Sequence, residues 1–376
     1  MSRPVRRRPV RHGPDAVGPR ELLGAPIVPP AAVAGAGVRI RAGLGRLHRA
    51  TAPPPARLFE AALGSLDLAV LATLCRLDLP DRLTSPATCA TLAAELELDD
   101  RRLERLLRYA ATRGWLRLDA HGRVRATRTT AFLRRGHPGG WRAWIEFAAG
   151  TEVTAALHAL DAGLRADGDA FAAGNGAPFF AWMRQHPERH ARFDGAMAAG
   201  ARMHGLLLAG AVDWSRSRRV CDVGGGDGTL LGVLTTRHPH LTGTVLELPE
   251  VAARAPQRDR VAVTGGDAFA AVPADHDTYL LVNVLHDWDD TAATRLLATV
   301  ATAGPTRVLV VESEAHDRPR DDVATRADLL MLALTPGGRE RTTAEMATLA
   351  ADAGLRRTAT HPLASGDVVH VLVPAS

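Results

Sequence analysis

The sequence predicts an α/β chain in which a mostly helical amino-terminal module precedes a doubly wound, parallel β-sheet domain. Three observations carry this expectation. In Arg219-Val220-Cys221-Asp222-Val223-Gly224-Gly225-Gly226-Asp227-Gly228-Thr229, a short apolar run is broken by glycines and followed by Leu230, Leu231, Val233 and Leu234, which reads as strand, tight turn and helix. Beyond it, short apolar runs alternate with segments of helical period, the pattern of βα units. Ahead of it, two helical segments and an alternating hairpin follow one another between residues 90 and 127.

At 376 residues the chain exceeds one usual hydrophobic core, so two domains are expected behind an amino-terminal arm: 1–52, 53–165 and 166–376. With 46% hydrophobic and 23% charged residues, its composition is that of an ordinary soluble globular protein. No uncharged apolar run of about 18 residues occurs, and the Arg-rich start lacks an apolar core, so the expected location is cytoplasmic, with no membrane partner. Cys75, Cys89 and Cys221 are scattered, which suggests neither a disulfide framework nor a cysteine zinc site.

All 46 basic residues are arginines. The absence of lysine excludes Schiff-base aldolases and pyridoxal phosphate enzymes, which need its amine. The net charge of +5 is matched by Arg3, Arg6, Arg7, Arg8 and Arg11 at one end, which reads as a solvated arm rather than a nucleic-acid site. Residues 1–52 carry Pro, Gly, Ala and Arg without a sustained period and are expected to be disordered.

From Arg57, apolar residues recur at helical spacing until Pro80, predicting a long amphipathic helix over 57–79. A short helix over 90–95, a second from Asp99 to Gly114, and a hairpin over 115–127 then make a winged helix. Arg101, Arg102, Arg105 and Arg108 on its second helix suit a DNA groove and equally suit the exposed face of a packed helix. Residues 141–208 read as helical, with Trp144, Phe147, Leu157, Leu160 and Leu164 as a packing stripe. Strands are expected over 242–248, 261–264, 278–284, 307–311 and 368–373, with helices over 291–302 and 342–353. Thr342 to Glu345 fits a capping box.

Spacing discriminates among ligands for the glycine turn. A dinucleotide fingerprint needs Gly-x-Gly-x-x-Gly, but the sixth position from Gly224 is Thr229. A P-loop needs a lysine, and there is none. What remains is Asp222-x-Gly224-x-Gly226-x-Gly228, either a ligand turn or a turn that lets a helix pack close to a strand.

In a doubly wound sheet, ligands sit outside the carboxyl ends of the strands. Glu247 ends the second strand about 20 residues past the glycines, where a carboxylate can accept ribose hydroxyls. Asp267, Ala268 and Phe269 follow the third, offering an acceptor for an adenine amino group and an apolar contact for its ring. The fourth ends in Asn283-Val284-Leu285-His286-Asp287-Trp288-Asp289-Asp290 and the fifth in Glu312. His286 with Asp287, Asp289 and Asp290 is also a conceivable metal set, although Asp289 and Asp290 look like the start of the next helix.

These stretches, together with Gly337-Gly338-Arg339-Glu340-Arg341-Thr342, fall in the order and spacing of the small-molecule O-methyltransferases of plant phenolic and actinobacterial antibiotic pathways, and residues 56–373 resemble that family. The resemblance implies a winged-helix dimerisation domain joined to a Rossmann-like class I methyltransferase domain, with S-adenosyl-L-methionine as cofactor; no metal is expected, since Asp289 and Asp290 read as a helix start. It implies His286 as general base flanked by Glu312 and Glu340. Asp222, Gly224, Gly226, Glu247, Asp267, Ala268 and Phe269 would hold the cofactor, and Met197, Asn283, Asp287 and Met331 the acceptor. One departure is Val282, where some members carry a lysine near the cofactor.

The chemistry suits these residues. A phenol with a pKa of about 10 is a poor nucleophile at neutral pH, whereas an imidazole near about 6.5 can take its proton as the oxygen attacks. A carboxylate on the other ring nitrogen fixes the tautomer and stabilises the imidazolium. The expected activity is methyl transfer to a hydroxyl of an aromatic or polyketide-like natural product. The alternatives are a cofactor-binding relative that hydroxylates, decarboxylates or cyclises, and a winged-helix DNA regulator. The 57–79 segment carries leucines on more than one stripe (Leu58, Leu63, Leu66, Leu68, Leu71, Leu77), so a surplus face is expected to pack on a second chain, as the resemblance also implies.

Overall fold

The computed structural model describes residues 29–375 apart from Pro138. The Arg-rich stretch 1–28, expected as part of a disordered arm, lies outside the described residues. The rest of that arm is ordered: Ala31–Thr51 is an α-helix. Its alanines favour the helix without supplying an apolar stripe that a periodicity reading would detect. None of its side chains is buried, and Val33, Ile40, Leu44 and Leu47 are exposed.

The described residues divide into two compact units, 63–146 and 29–62 with 147–375. The division therefore falls at 146/147, earlier than the expected 165/166. Phe147 packs with that second unit: its ring lies 5.4 Å from Phe193 and 6.5 Å from Phe179. Spacing revealed an apolar stripe over 144–164 but not which core it joins.

In unit 63–146 the winged-helix expectation holds. Thr88 and Asp99 cap the helices Cys89–Glu95 and Asp100–Thr112 by accepting the N–H groups of Thr91 and Arg102. Gly114, at φ +73°, turns the chain into the strand Leu116–Leu118, which pairs antiparallel with Arg123–Ala126. A short strand, Ala87–Thr88, completes this sheet. Leu74, Leu79, Leu92, Leu103, Leu107, Leu116 and Val124 form its core. Arg108 on the second helix is engaged with Glu104 one turn earlier.

The helix expected over 57–79 is instead two, Pro54–Ala62 and Ser65–Arg76, broken at Leu63-Gly64, and Pro80 sits in the first turn of a further short helix, Leu79–Arg82. Glycine at the break weakens helix continuity, and proline is tolerated in a first turn because the N–H it lacks would have no partner there. By length and composition alone Pro54–Arg76 could cross a membrane. Leu58 and Phe59 on the first helix are largely exposed, as are Leu63 and Leu66.

The second unit holds a seven-stranded sheet: β1 (Arg219–Val223), β2 (Thr242–Glu247), β3 (Val261–Gly265), β4 (Thr278–Val282), β5 (Arg307–Ser313), β6 (Leu355–Pro362) and β7 (Asp367–Pro374), in the order β3-β2-β1-β4-β5-β7-β6. Strands β1 to β5 are parallel. The expectation of a wholly parallel sheet is corrected at one edge, where β7 runs antiparallel to both β5 and β6. Strand β6 was not foreseen. Only Leu355 among its residues is buried, so an edge strand carrying Arg356, Arg357 and His361 shows no alternation to read.

Period-2 burial makes the sheet two-faced. Val308 and Val310 of β5 face a core with Leu296, Leu297, Val300, Met346 and Leu349, whereas Leu309 and Val311 face one with Leu207, Leu208, Leu230, Leu231 and Leu234. Helices Asp290–Thr302 and Thr343–Asp352 thus cover one face, and Pro187–Ala211 with Thr229–Arg237 the other. The capping box at Thr342 and Glu345 is present. This layering gathers the carboxyl ends of β1 to β5, and every polar residue that follows them, along one rim.

Candidate active site

At the end of β1 the chain turns through Gly224, Gly226 and Gly228, with φ of +71°, +58° and +77°. Side chains rarely tolerate that backbone, and a Cβ on Gly224 would also lie 3.0 Å from Val284. Space above Gly226 is open. The neighbouring strand end locks the turn: Glu247 accepts the N–H groups of Gly226 at 2.9 Å and Leu248 at 2.8 Å. Beneath it Asp222 is buried, and its Oδ2 has no hydrogen-bond partner among the described residues. Burial, then the nearby Glu247 charge, push the Asp222 carboxyl up to about 8. Burial also raises Glu247.

After β3, Asp267 is exposed and accepts the Phe269 N–H at 2.9 Å, closing a small turn that includes Ala268. The Phe269 ring meets Trp288 edge-on, with centroids 4.8 Å apart, and carries the Arg295 guanidinium over it at 4.7 Å. The open glycine turn, the orphaned acceptor of Asp222, the two carboxylates and the aromatic pair fit an adenosyl sulfonium in charge, hydrogen bonding and shape.

Along the same rim, Asn283 leaves β4 at φ +53°, a left-handed conformation that asparagine tolerates better than most residues, and swings the chain into the 3-10 turn Leu285–Asp287. His286 stands on that turn with its side chain 15% exposed. Its Nδ1 lies 3.1 Å from Glu340 Oε1 and 3.5 Å from Glu312 Oε2, and its Nε2 lies 3.7 Å from Asp287 Oδ1. Glu312, at the end of β5, uses its other oxygen to accept the N–H groups of Val284 at 3.1 Å and Leu285 at 2.8 Å. Both glutamates are buried, and Glu312 Oε2 and Glu340 Oε2 have no hydrogen-bond partner among the described residues.

Burial alone would lower the His286 pKa, but the Glu312 charge, the Glu340 hydrogen bond and the Asp287 charge outweigh it and raise the group to about 10. Burial raises Glu312 to about 7 and Asp287 to about 6, each partly offset by His286. The cluster is a half-buried basic imidazole held by carboxylates.

The sequence-selected His286, Glu312, Glu340 and Asp287 thus come together, as do Asp222, Gly224, Gly226 and Glu247. Met331 is buried on the helix Val323–Leu334, one turn beyond Asp328, which accepts the Glu340 N–H at 2.9 Å. Met197 is half-buried on Pro187–Ala211. The conceivable metal set of His286 with Asp287, Asp289 and Asp290 does not assemble. Asp289 caps its helix through the Ala292 N–H, and Asp290 pairs with Arg339 and Arg341. Donor atoms of His286, Glu312 and Glu340 do lie within 4.8 Å of one another, a spacing a cation could also bridge. Sequence reasoning missed Trp288, Asp328 and Arg341. Trp288 and Arg341 lay inside the stretches it singled out, adjacent to residues given roles, but nothing in the spacing revealed their contacts.

Residues 157–356 match the O-methyltransferase domain, and residues 59–134 the O-methyltransferase dimerisation domain. The chain is similar to the O-demethylpuromycin-O-methyltransferase of Streptomyces alboniger, with 33% identity, covering 83% of this chain and 86% of that protein. It is similar as well to the aclacinomycin 10-hydroxylase RdmB of Streptomyces purpurascens, with 36% identity, covering 77% of this chain and 80% of that protein. Among solved structures, an O-methyltransferase from neocarzinostatin biosynthesis in complex with S-adenosylmethionine and 2-hydroxy-5-methyl naphthoic acid gives a TM-score of 0.67 at 31% identity, covering 82% of this chain and 96% of that one. Methyl-transfer domain, dimerisation domain and cofactor cradle agree: the chain belongs to the S-adenosylmethionine-dependent O-methyltransferase family.

Proposed function

We propose that this enzyme transfers the methyl group of S-adenosylmethionine to a hydroxyl of an aromatic or polyketide-like small molecule, with His286 as general base. One observation carries the reading. The Nδ1 edge of His286 is taken by Glu340 at 3.1 Å, while the nearest acidic oxygen to Nε2 is 3.7 Å away, beyond hydrogen-bond length. Nε2 is therefore the nitrogen available to an acceptor hydroxyl. When bound, S-adenosylmethionine supplies an electrophilic methyl on a sulfonium.

The protein's own groups do the rest. Glu247 and Asp267 would accept hydroxyl and amino donors of the adenosyl group, Phe269, Ala268 and Trp288 would offer apolar contact to its ring, and Asp222 with the Gly224–Gly226 turn would receive the amino-acid end. His286 Nε2 takes the hydroxyl proton, and Glu340 and Glu312 stabilise the imidazolium so formed. Met197 and Met331 grip the acceptor, with Asn283 and Asp287 at its polar edge. The 2-hydroxy-5-methyl naphthoic acid bound by one solved relative and the 2,7-dihydroxy-5-methyl-1-naphthoate in the name of another relative support this acceptor class. The enzyme acts as a homodimer, a reading supported by the dimerisation-domain match and the exposed Leu58, Phe59, Leu63 and Leu66.

A second reading, non-methylating chemistry in the same site, is favoured by the likeness to a 10-hydroxylase. Product mass separates the two: a gain of one methyl supports transfer, and an oxygen adduct or an isomer supports the alternative. His286→Ala should lower turnover by about 100-fold or more while leaving S-adenosylhomocysteine affinity within about twofold. An unchanged turnover removes His286 from the mechanism.

A further inference from the structure

The segment that delivers Glu340 does more than supply a carboxylate. The next residue, Arg341, has a side chain only 2% exposed. Its guanidinium donates from Nη1 to Leu285 O at 2.9 Å, from Nη2 to Trp288 O at 2.7 Å and from Nε to Asp290 Oδ1 at 2.8 Å. Leu285 and Trp288 bracket His286-Asp287, so two of these bonds hold the peptide frame on either side of the base. Behind the same frame the Gly338 backbone is pressed close: a Cβ there would lie 2.5 Å from His286 O and 3.0 Å from the Asp287 carbonyl carbon. Arg341 is itself anchored to the segment just after the strand that carries Glu312, because its carbonyl accepts the Ala315 N–H at 3.1 Å.

We infer that Arg341 is a positioning residue, which fixes the three-residue turn Leu285–Asp287 so that the His286 ring stays between Glu312 and Glu340 with Nε2 free. The inference rests on the reading of His286 as general base. A planar fork with donors in fixed directions meets three acceptors at once, which a lysine ammonium on a flexible stem does not. The geometry is exacting, since a misplacement of about 1 Å at a reacting centre can cost about 100-fold in rate. Arg339 provides the internal comparison. It pairs with the same Asp290 at 2.9 Å and with Glu345 at 2.8 Å, and neither bond reaches a carbonyl of the turn.

The test uses the full-length enzyme with Arg341→Gln, Arg341→Lys, Arg339→Gln and His286→Ala. Turnover, the pH profile of kcat/KM, and calorimetric affinity for S-adenosylhomocysteine are measured for each. Arg341→Gln should lower kcat by about 100-fold. Its acid limb should move toward the ordinary imidazole range as the ring drifts from Glu312, Glu340 and Asp287, with S-adenosylhomocysteine affinity held within about twofold. Arg341→Lys should recover less than about a tenth of the loss, because it restores charge without the fork. Arg339→Gln should behave as wild type. If Arg341→Gln does not fold, Arg341→Lys decides. Wild-type kcat and pH limb in the folded Arg341 variant overturn the inference, as does an equal loss in Arg339→Gln. Full turnover in His286→Ala overturns the general-base reading itself, whereas a dead His286→Ala beside a fully active Arg341→Gln overturns only the positioning role.

Discussion

Glu340 and Glu312 both face His286 Nδ1, yet they are bound differently: Glu340 Oε1 lies at 3.1 Å with hydrogen-bond geometry, whereas Glu312 Oε2 stands at 3.5 Å and its other oxygen is held by two backbone N–H groups. The first orients the ring, and the second adds negative charge beside it in its ionised form. Because the carboxylates hold the imidazole above its ordinary range, His286 keeps its proton more firmly in the ligand-free enzyme and becomes a more competent base as pH rises. The kcat/KM profile should therefore climb through neutrality, with an acid limb above the ordinary imidazole value of about 6.5 that belongs to the cluster as a unit. Removing a negative charge lowers the imidazole pKa, so Glu340→Gln should shift that limb to lower pH while reducing the plateau by about 10- to 100-fold. A limb that stays in place in both Glu340→Gln and Glu312→Gln would sink the assignment.

Strand-end chemistry was legible in the sequence because it depends on local order. Asp222, Glu247, Asp267, His286 and Glu312 each follow a readable apolar run, and a doubly wound sheet brings such ends to one rim. Features set by tertiary packing were not. Strand β6 lies at an exposed edge with one buried side chain, and Phe147 reads as helical whichever core it joins. Arg341 looks like any solvated arginine until the two backbone carbonyls that receive it are in place. The helix Ala31–Thr51 was missed for a different reason, because alanine propensity without a buried face leaves no period to detect.

The cofactor cradle makes a separable prediction. Glu247 ties the glycine turn down through Gly226 and has lone pairs left for ribose hydroxyls. Glu247→Ala should weaken S-adenosylhomocysteine binding by at least about tenfold, the loss of one or two charge-assisted hydrogen bonds of roughly 1.5–3 kcal/mol each. Calorimetry on the purified variant checks it, and unaltered affinity would remove Glu247 from the site.

Asp222 should cost the free enzyme stability. Its folded pKa of about 8 lies above the ordinary carboxyl value of 3.8, so the native state binds more protons than the unfolded state between those limits. Stability from this group is therefore greatest below about pH 4 and falls as pH rises to about 8. Asp222→Asn keeps the shape and removes the charge. At pH 8 it should raise the ligand-free stability by roughly 1–3 kcal/mol, the scale of a buried polar group left unpaired, and at pH 4 it should match wild type. Thermal melts at the two pH values read this directly, and a destabilised variant at pH 8 refutes it.

Assembly gives the last prediction. Leu58 is 74% and Phe59 68% exposed on the helix Pro54–Ala62, an unfavourable state for large apolar side chains gathered in water. Leu63 and Leu66, at 43% and 42%, lie within the residues that match the dimerisation domain. Covering such side chains with a second chain releases about 25 cal/mol per Å² of apolar surface, and a permanent dimer interface buries on the order of 2,000 Å² or more. Light scattering should return about twice the 39.9 kDa chain mass. Removing residues 1–28 should leave that mass ratio unchanged, because the apolar positions lie beyond them. Replacing Leu58 and Phe59 together by glutamate should shift the protein toward monomer, since each buried charge would lack a partner. A wild-type enzyme that is monomeric and fully active at micromolar concentration would overturn the dimer.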